Sequence, residues 1–297
     1  RLNGGYIDEN GVIRSRMIDF YVSKDLEKST GLPKIWLELE RNGQEVLEIL
    51  TPLLKLDTEI QWCILMRLVR QEWKWIHPLD VTLETANPER FSILYVLVAN
   101  PIIHVDFSMN RSKDIQLPIY NTVSQLVPIV AKELKLNSSI GFTLFLVKDN
   151  EQIPLDATIS LPEQTTVYDR LFFKRRFFVI SKFDMDDPDM LYQLFCDVRD
   201  LVKSGKIEMS SEHALQLMYF EIKAENYVKL TKTQIPKDPK PFLPIGMKPK
   251  ENVQKYILKM LDEHPVESNR DAMIEYIRIA RSLPTFGTER YDVILVE

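Results

Sequence analysis

The cations between Lys229 and Lys259 are the residues of this chain best suited to chemistry. Lys229, Lys232, Lys237, Lys240, Lys248, Lys250, Lys255 and Lys259 face only two opposing charges, Asp238 and Glu251. Ammonium groups at that density attract phosphate-bearing surfaces, each contributing on the order of 1 kcal/mol near an anionic leaflet. With half of them against a bilayer the sum is roughly 4 kcal/mol, a weak and reversible attachment that needs a second contact. A solvated helix face beside a solubilising loop has the same composition. A second cluster, Arg170, Lys174, Arg175 and Arg176, lies within or beside the apolar run Leu171–Phe178. Its ordinary role is to close one folded body against the next.

Covalent chemistry finds no comparable arrangement. There is no glycine-rich phosphate loop, no His-Glu-x-x-His, no Gly-x-Ser-x-Gly and no Cys-x-x-Cys. His77, His104, His213 and His264 lie far apart and read as surface or satisfied core residues. Cys63 and Cys196 offer neither a disulfide framework nor metal spacing, and are expected to be reduced cytosolic thiols. No enzyme activity, metal or cofactor is expected. A net charge of −5 argues against a general nucleic-acid binder. No apolar run reaches the ~18 residues of a membrane span, and no signal peptide is visible. A chain that begins at Arg1 reads as a fragment.

The elements that carry these cations divide into segments of different period. Residues 1–100 are the least regular and read as partly helical. Val46–Leu54 fits a helix. So does Ile60–Trp75, where Trp62, Leu65, Met66 and Val69 recur at helical spacing before Pro78 stops the run. Phe91–Val98 fits a strand or a buried helix, and periodicity alone does not separate them. Residues 101–180 read as a small α+β unit. Ile103, Val105 and Phe107 alternate, as do Ile115, Leu117 and Ile119, then Phe142, Leu144 and Leu146. Between the second and third strands a helix starts at Thr122, with Gln125 at capping-box spacing. Pro128 inside that helix costs roughly 3 kcal/mol and has no sequence-level compensation. The closing strand is Leu171–Phe178, whose three consecutive cations must reach water or acidic partners.

Residues 181–288 read as a four-helix bundle. Asp187 caps the first helix, Pro188 opens it, and Gly205 ends it. The second begins near Ser210. A proline-rich link from Thr231 to Pro249 leads to the third, which opens at Pro249. Ser268 caps the fourth, and Asp271 completes its capping box. Residues 289–297 read as the first strand of a further, incomplete lobe.

The order ββαββ with a long final connection is that of a ubiquitin-like β-grasp roll. Such a roll followed by an acyl-CoA-binding-protein-like bundle resembles the FERM family. Leu171–Phe178 looks like the strand that closes its first lobe, Asp197-Val-Arg-Asp200 followed by Gly205 like the first helix of its second, and Ile279–Gly287 like its last. Ala280-Arg-Ser-Leu283 and Phe242-Leu-Pro244 resemble the talin branch. The resemblance covers about residues 102–297. It implies a non-catalytic adaptor at the inner face of the plasma membrane, linking the cytoskeleton to acidic phosphoinositides and to cytoskeletal or adhesion-receptor proteins. It implies lipid contact through Lys237, Lys240, Lys248, Lys250, Lys255 and Lys259. It also implies a first-lobe edge near Arg111 and Lys113 able to pair with a Ras-like GTPase. The alternative is a regulatory or cargo-binding segment of a larger myosin or signalling enzyme; in myosins a helical module precedes the FERM lobes, as a helical 1–100 would.

Overall fold

The computed structural model describes residues 6–7, 13–14, 17–27, 31–89, 91–107, 111–148, 151–166, 170–178, 180, 182–226, 235–236, 238–248 and 252–287. Besides a two-stranded ribbon, β1 (Tyr6–Ile7) and β2 (Ile13–Arg14), it contains two five-stranded sheets and a set of helices.

The first sheet is built from β3 (Met17–Ser23), β4 (Lys34–Glu38), β5 (Trp62–Arg67), β6 (Trp73–Ile76) and β7 (Ile93–Val98), in the spatial order β4-β3-β7-β5-β6. One pair, β3 with β7, is parallel; the others are antiparallel. Helix α1 (Gly43–Leu54) packs Val46, Leu47 and Leu50 on Phe20, Val22, Ile64, Met66, Leu94 and Val96. Asn42 and Glu45 close its capping box, which satisfies two of the amide donors that a helix start leaves unpaired.

The second sheet repeats this plan. Its strands β8 (Ile102–Phe107), β9 (Arg111–Gln116), β10 (Phe142–Lys148), β11 (Glu151–Pro154) and β12 (Arg170–Arg175) lie in the order β11-β10-β12-β8-β9, the same order read from the other edge. Helix α2 (Val123–Glu133) takes the place of α1, and the short α3 (Leu161–Gln164) that of the 3-10 turn Leu83–Ala86. Both helices start against the same kind of isolated bridge, Asn42 to Thr82 and Thr122 to Ser160. Thr122 keeps half of its capping box, its backbone N–H donating to Gln125 Oε1 at 3.0 Å. Pro128 lies inside α2, as Pro52 lies inside α1. Residues 17–98 are thus a second β-grasp lobe, in tandem with the first.

This corrects the reading of Ile60–Trp75 as a helix. Cys63, Ile64, Leu65 and Met66 are all buried, because β5 runs in the sheet interior between β7 and β6 with both its faces covered. An unbroken apolar run satisfies helical spacing by accident. The turn between β5 and β6 is fixed by Gln71 at φ 69 and by Leu68 N–H donating to Glu72 O at 2.8 Å. Of the run Phe91–Val98, Ile93–Val98 forms strand β7.

The described chain divides into two compact units, Arg1–Val105 with Ser112–Val130 and Thr143–Phe172, and Asp106–Arg111 with Ala131–Phe142 and Phe173–Glu297. Within the first unit the two lobes touch. Trp75 Nε1 donates to Ser160 Oγ at 3.0 Å and to Glu163 Oε2 at 3.3 Å. His77 stacks on Tyr120 at 3.9 Å between centroids, and the Ala99 N–H donates to Gln61 O at 2.8 Å. Trp75→Phe keeps the ring's bulk and removes the donor. It is expected to lower the stability of this unit by about 1 kcal/mol in urea unfolding; no change would mean that the indole N–H is equally well served by water.

The second unit holds α4 (Lys182–Asp186), α5 (Pro188–Lys203), α6 (Ser211–Asn226), α7 (Val253–Glu263) and α8 (Asn269–Ser282). Asp187 caps α5 by accepting from Asp189 N and Met190 N, and Ser268 caps α8 by accepting from Asp271 N. α6 runs through the middle and is apolar nearly all round, with Ala214, Leu215, Leu217, Met218, Tyr219, Phe220 and Ile222 buried, as a helix enclosed by others must be. The start proposed for the third helix, Pro249, and the strand proposed at 289–297 lie outside the described residues. Within them α7 begins at Val253, capped by the Asn252 side chain.

Two carboxyl groups in this unit are poised for titration. Burial pushes Asp197 up to about 7, against the pull of Arg175, and pushes Glu221 up to about 7, against Lys203 and Arg199. An acid whose pKa is raised in the folded state binds its proton more tightly there. Its stabilising contribution is present at low pH and is lost as pH rises from the unfolded value near 4 through 7. The urea midpoint is therefore expected to fall between about pH 5.5 and about pH 7.5, and to fall less in the Asp197→Asn, Glu221→Gln double variant. Parallel profiles for the two proteins would refute this.

Candidate functional site

The lysine-rich stretch joins α6 to α7. Its described residues begin at Ile235, which is buried, and include a 3-10 turn, Lys240–Phe242. Lys240 and Lys248 are exposed on this link, and Lys255 and Lys259 are exposed on α7. Spacing of four residues puts the last two on one helix face, opposite Ile257 and Met260, which are buried. Lys259 Nζ lies 3.6 Å from Glu263, an exposed i,i+4 pair of small energetic weight. Lys237 and Lys250 lie outside the described residues. Four of the six predicted lipid-binding lysines are thus placed on the solvent side of this link and helix.

The second basic cluster does not form a patch. Strand alternation splits it: Arg170 is exposed, Lys174 and Arg176 are half-buried, and Arg175 is buried at 3% exposure. Arg175 donates to Asp184 Oδ1 at 2.5 Å and to Ile140 O at 3.3 Å, its backbone N–H donates to Asp197 Oδ2 at 3.3 Å, and its guanidinium covers Phe142 at 4.4 Å. Burial pulls the Lys174 ammonium down, with Asp200 and Asp197 opposing. Arg176 lies over Phe177 at 5.2 Å. The strand ends at Arg175 and not at Phe178, because Arg176 N–H and Phe177 N–H both donate to Gly141 O. Gly141 sits at φ 80, and a Cβ there would lie 2.3 Å from Phe177 O, so only glycine fits.

Arg111 and Lys113 are on β9, an edge strand as the roll required. Arg111 is not a free edge cation: its guanidinium lies 5.0 Å from the rings of both Phe107 and Tyr192. Lys113 is exposed between Ser112 and Asp114, which are also exposed.

The histidines have local structural partners. His104 Nδ1 is 2.7 Å from Asp114 Oδ1, His213 Nδ1 is 3.1 Å from Ser210 Oγ, and the His264 carbonyl accepts from Tyr219 Oη at 2.7 Å. Both cysteines are buried, and burial raises Cys63 to about 12, the condition of an unreactive thiol. Among the described residues no group of three or more His, Cys, Asp or Glu is placed to hold a metal ion, and no helix is long and apolar enough to cross a membrane.

This arrangement of helices over residues 182–291 matches the family described as the FERM central domain. The helical unit is similar to a FERM central domain over those residues. The chain is similar to Talin-A of Dictyostelium discoideum, 26% identical over 214 residues, which is 71% of this chain and 16% of that protein. It is also similar to FERM domain-containing protein A of the same organism, 29% identical over 184 residues, which is 58% of this chain and 16% of the other. The matched region therefore spans under a fifth of either relative. Among solved structures, the human myosin 7b C-terminal MyTH4-FERM domain, solved in complex with the harmonin-a PDZ3 domain, aligns at a TM-score of 0.52 and 19% identity, covering 64% of this chain and 43% of that one. At that identity the likeness is one of fold.

In chain order, β-grasp lobes come before this matched helical region. The β-grasp roll of β8–β12 precedes it, and a second β-grasp lobe precedes the roll. A helical module at 1–100, the feature that favoured a myosin, is not what residues 17–98 form. The contacts of Arg175 and the exposure of Ile245 escaped the sequence reading. The first needed the partners Asp184 and Asp197 in space. The second had a local signal, Pro244-Ile245-Gly246, which reads as a tight turn with an apolar residue at its corner.

Proposed function

We propose that this chain is the membrane-facing FERM segment of a non-catalytic, cytoskeleton-associated adaptor, whose helical lobe meets acidic phosphoinositides at the inner face of the plasma membrane. The observation that supports it is the exposure of Lys240, Lys248, Lys255 and Lys259 on one link and the helix that follows it. Lys237 and Lys250 extend the same stretch. At about 1 kcal/mol each, the four described lysines contribute about 4 kcal/mol at an anionic leaflet. That suits a protein held jointly by lipid and by a cytoskeletal or receptor partner. The test is sedimentation with vesicles. The chain is expected to sediment with phosphatidylcholine vesicles containing phosphatidylserine and phosphatidylinositol bisphosphate, to lose that binding as salt rises, and to ignore pure phosphatidylcholine. Equal binding to both vesicle types would reject the proposal.

A second partner surface is favoured by one observation, the exposed run Ser112–Asp114 on edge strand β9. A Ras-like GTPase could extend the sheet there by strand pairing. Nucleotide-dependent capture by the immobilised GTPase, lost in Lys113→Glu, is the expected result; capture indifferent to the bound nucleotide would refute it.

A further inference from the structure

Ile245 is 82% exposed, the most exposed of the large apolar side chains among the described residues. It does not lie on a loose segment. Leu243 and Pro244 before it are buried. Its own N–H donates to Lys203 O at the end of α5 at 3.0 Å, and Met247 N–H donates to Pro244 O at 3.1 Å, closing the turn. Gly246, third in that turn, has φ 81, whereas Ile245 is not among the residues with positive φ. This is the pattern of a type II turn, which requires glycine at that position and leaves the preceding side chain at the outer corner. Phe242, earlier on the same link, is half-buried under the Lys203 ammonium, 5.5 Å from its ring. The link is therefore bolted to α5 on one side and offers an isoleucine to solvent on the other.

The charges on either side of Ile245 say what this corner meets. Lys240 and Lys248 are exposed five residues before it and three after it. An apolar tip with an exposed ammonium group on either side of it along the link matches a surface that is anionic outside and apolar beneath, which is a bilayer leaflet. A folded protein partner would need an acidic collar around a pocket for one isoleucine. The geometry points to Ile245 as a membrane wedge: the lysines bring the lobe to the headgroups, and the Pro244-Ile245-Gly246 corner enters the acyl boundary. This rests on the lipid-binding reading above and supplies its second contact, one that salt does not screen.

Ile245→Ser and Ile245→Leu, in the full chain, test the wedge in vesicles of phosphatidylcholine with phosphatidylserine and phosphatidylinositol bisphosphate. Because the side chain is outside the core, both variants are expected to melt like the parent. Burial of one isoleucine supports a loss of about tenfold in partitioning for serine, and little change for leucine. Ile245→Cys carrying an environment-sensitive fluorophore gives an independent reading, since Cys63 and Cys196 are buried. Its emission is expected to shift to the blue on binding and to be quenched by spin-labelled acyl chains. If the parent binds these vesicles while the serine variant binds equally well and the fluorophore stays aqueous, the wedge is wrong and the lysine reading stands. If the parent does not bind at all, both fall.

Discussion

Arg175→Ala is expected to destabilise the second unit by about 3–5 kcal/mol, the cost of leaving a buried charge without its partner. The guanidinium is the hub of that region. It pairs with Asp184 of α4, covers Phe142 and donates to Ile140 O, while the backbone of the same residue binds Asp197 of α5. Asp184 and Asp197 are 4% exposed each. Without the guanidinium they must stay charged in a poor solvent or take up protons, and Asp197 is already pushed up to about 7. A second variant separates loss of charge from loss of fold. Arg175→Met with Asp184→Leu removes the ion pair together and is expected to recover most of the loss, because apolar replacement of a whole buried pair is often neutral. Urea unfolding monitored by circular dichroism reads both. A loss below about 1 kcal/mol for Arg175→Ala would show the pair to be solvated.

Joint replacement of Lys240, Lys248, Lys255 and Lys259 by glutamine is expected to weaken binding to phosphoinositide vesicles by close to a thousandfold, the equivalent of about 4 kcal/mol. The same variant is expected to melt within a few degrees of the parent. All four side chains are exposed, and the Lys259–Glu263 pair is of the class that contributes under about 1 kcal/mol. This contrast in effect makes the variant informative: a large change in partitioning with a small change in stability is the mark of a binding surface. Single replacements should each cost about fivefold and add, since the ammonium groups act on the leaflet more than on each other. Unchanged sedimentation of the fourfold variant at physiological salt would remove the lysines from the membrane contact.

Much of the helical lobe was legible because its signals are local. The Asp187-Pro188 start of α5 and the Ser268 cap of α8 lie where the residues announced them. The β-grasp roll was legible because its strands alternate between one wet and one dry face. The lobe before it was not, because β5 is buried on both faces, and its unbroken apolar run carries no period that tells strand from helix. The tandem arrangement was hidden for the same reason. At the candidate site, charge density and the family resemblance together singled out the lysines, of which Lys240, Lys248, Lys255 and Lys259 are exposed. At Arg170–Arg176 density did not separate a basic patch from the ordinary closing role, because strand alternation turns Arg175 inward and away from its neighbours in sequence. No local rule predicts that Asp184 and Asp197 will be waiting for it.

Amide hydrogen exchange with and without anionic vesicles tests the membrane contact most directly, because it reports position as well as binding. Protection is expected over residues 238–248 and along the outer face of α7, centred on the Pro244–Met247 turn, with the two β-grasp lobes, β9 included, unchanged. Protection that appeared instead on those lobes, with the link and α7 exchanging as they do in free protein, would contradict it.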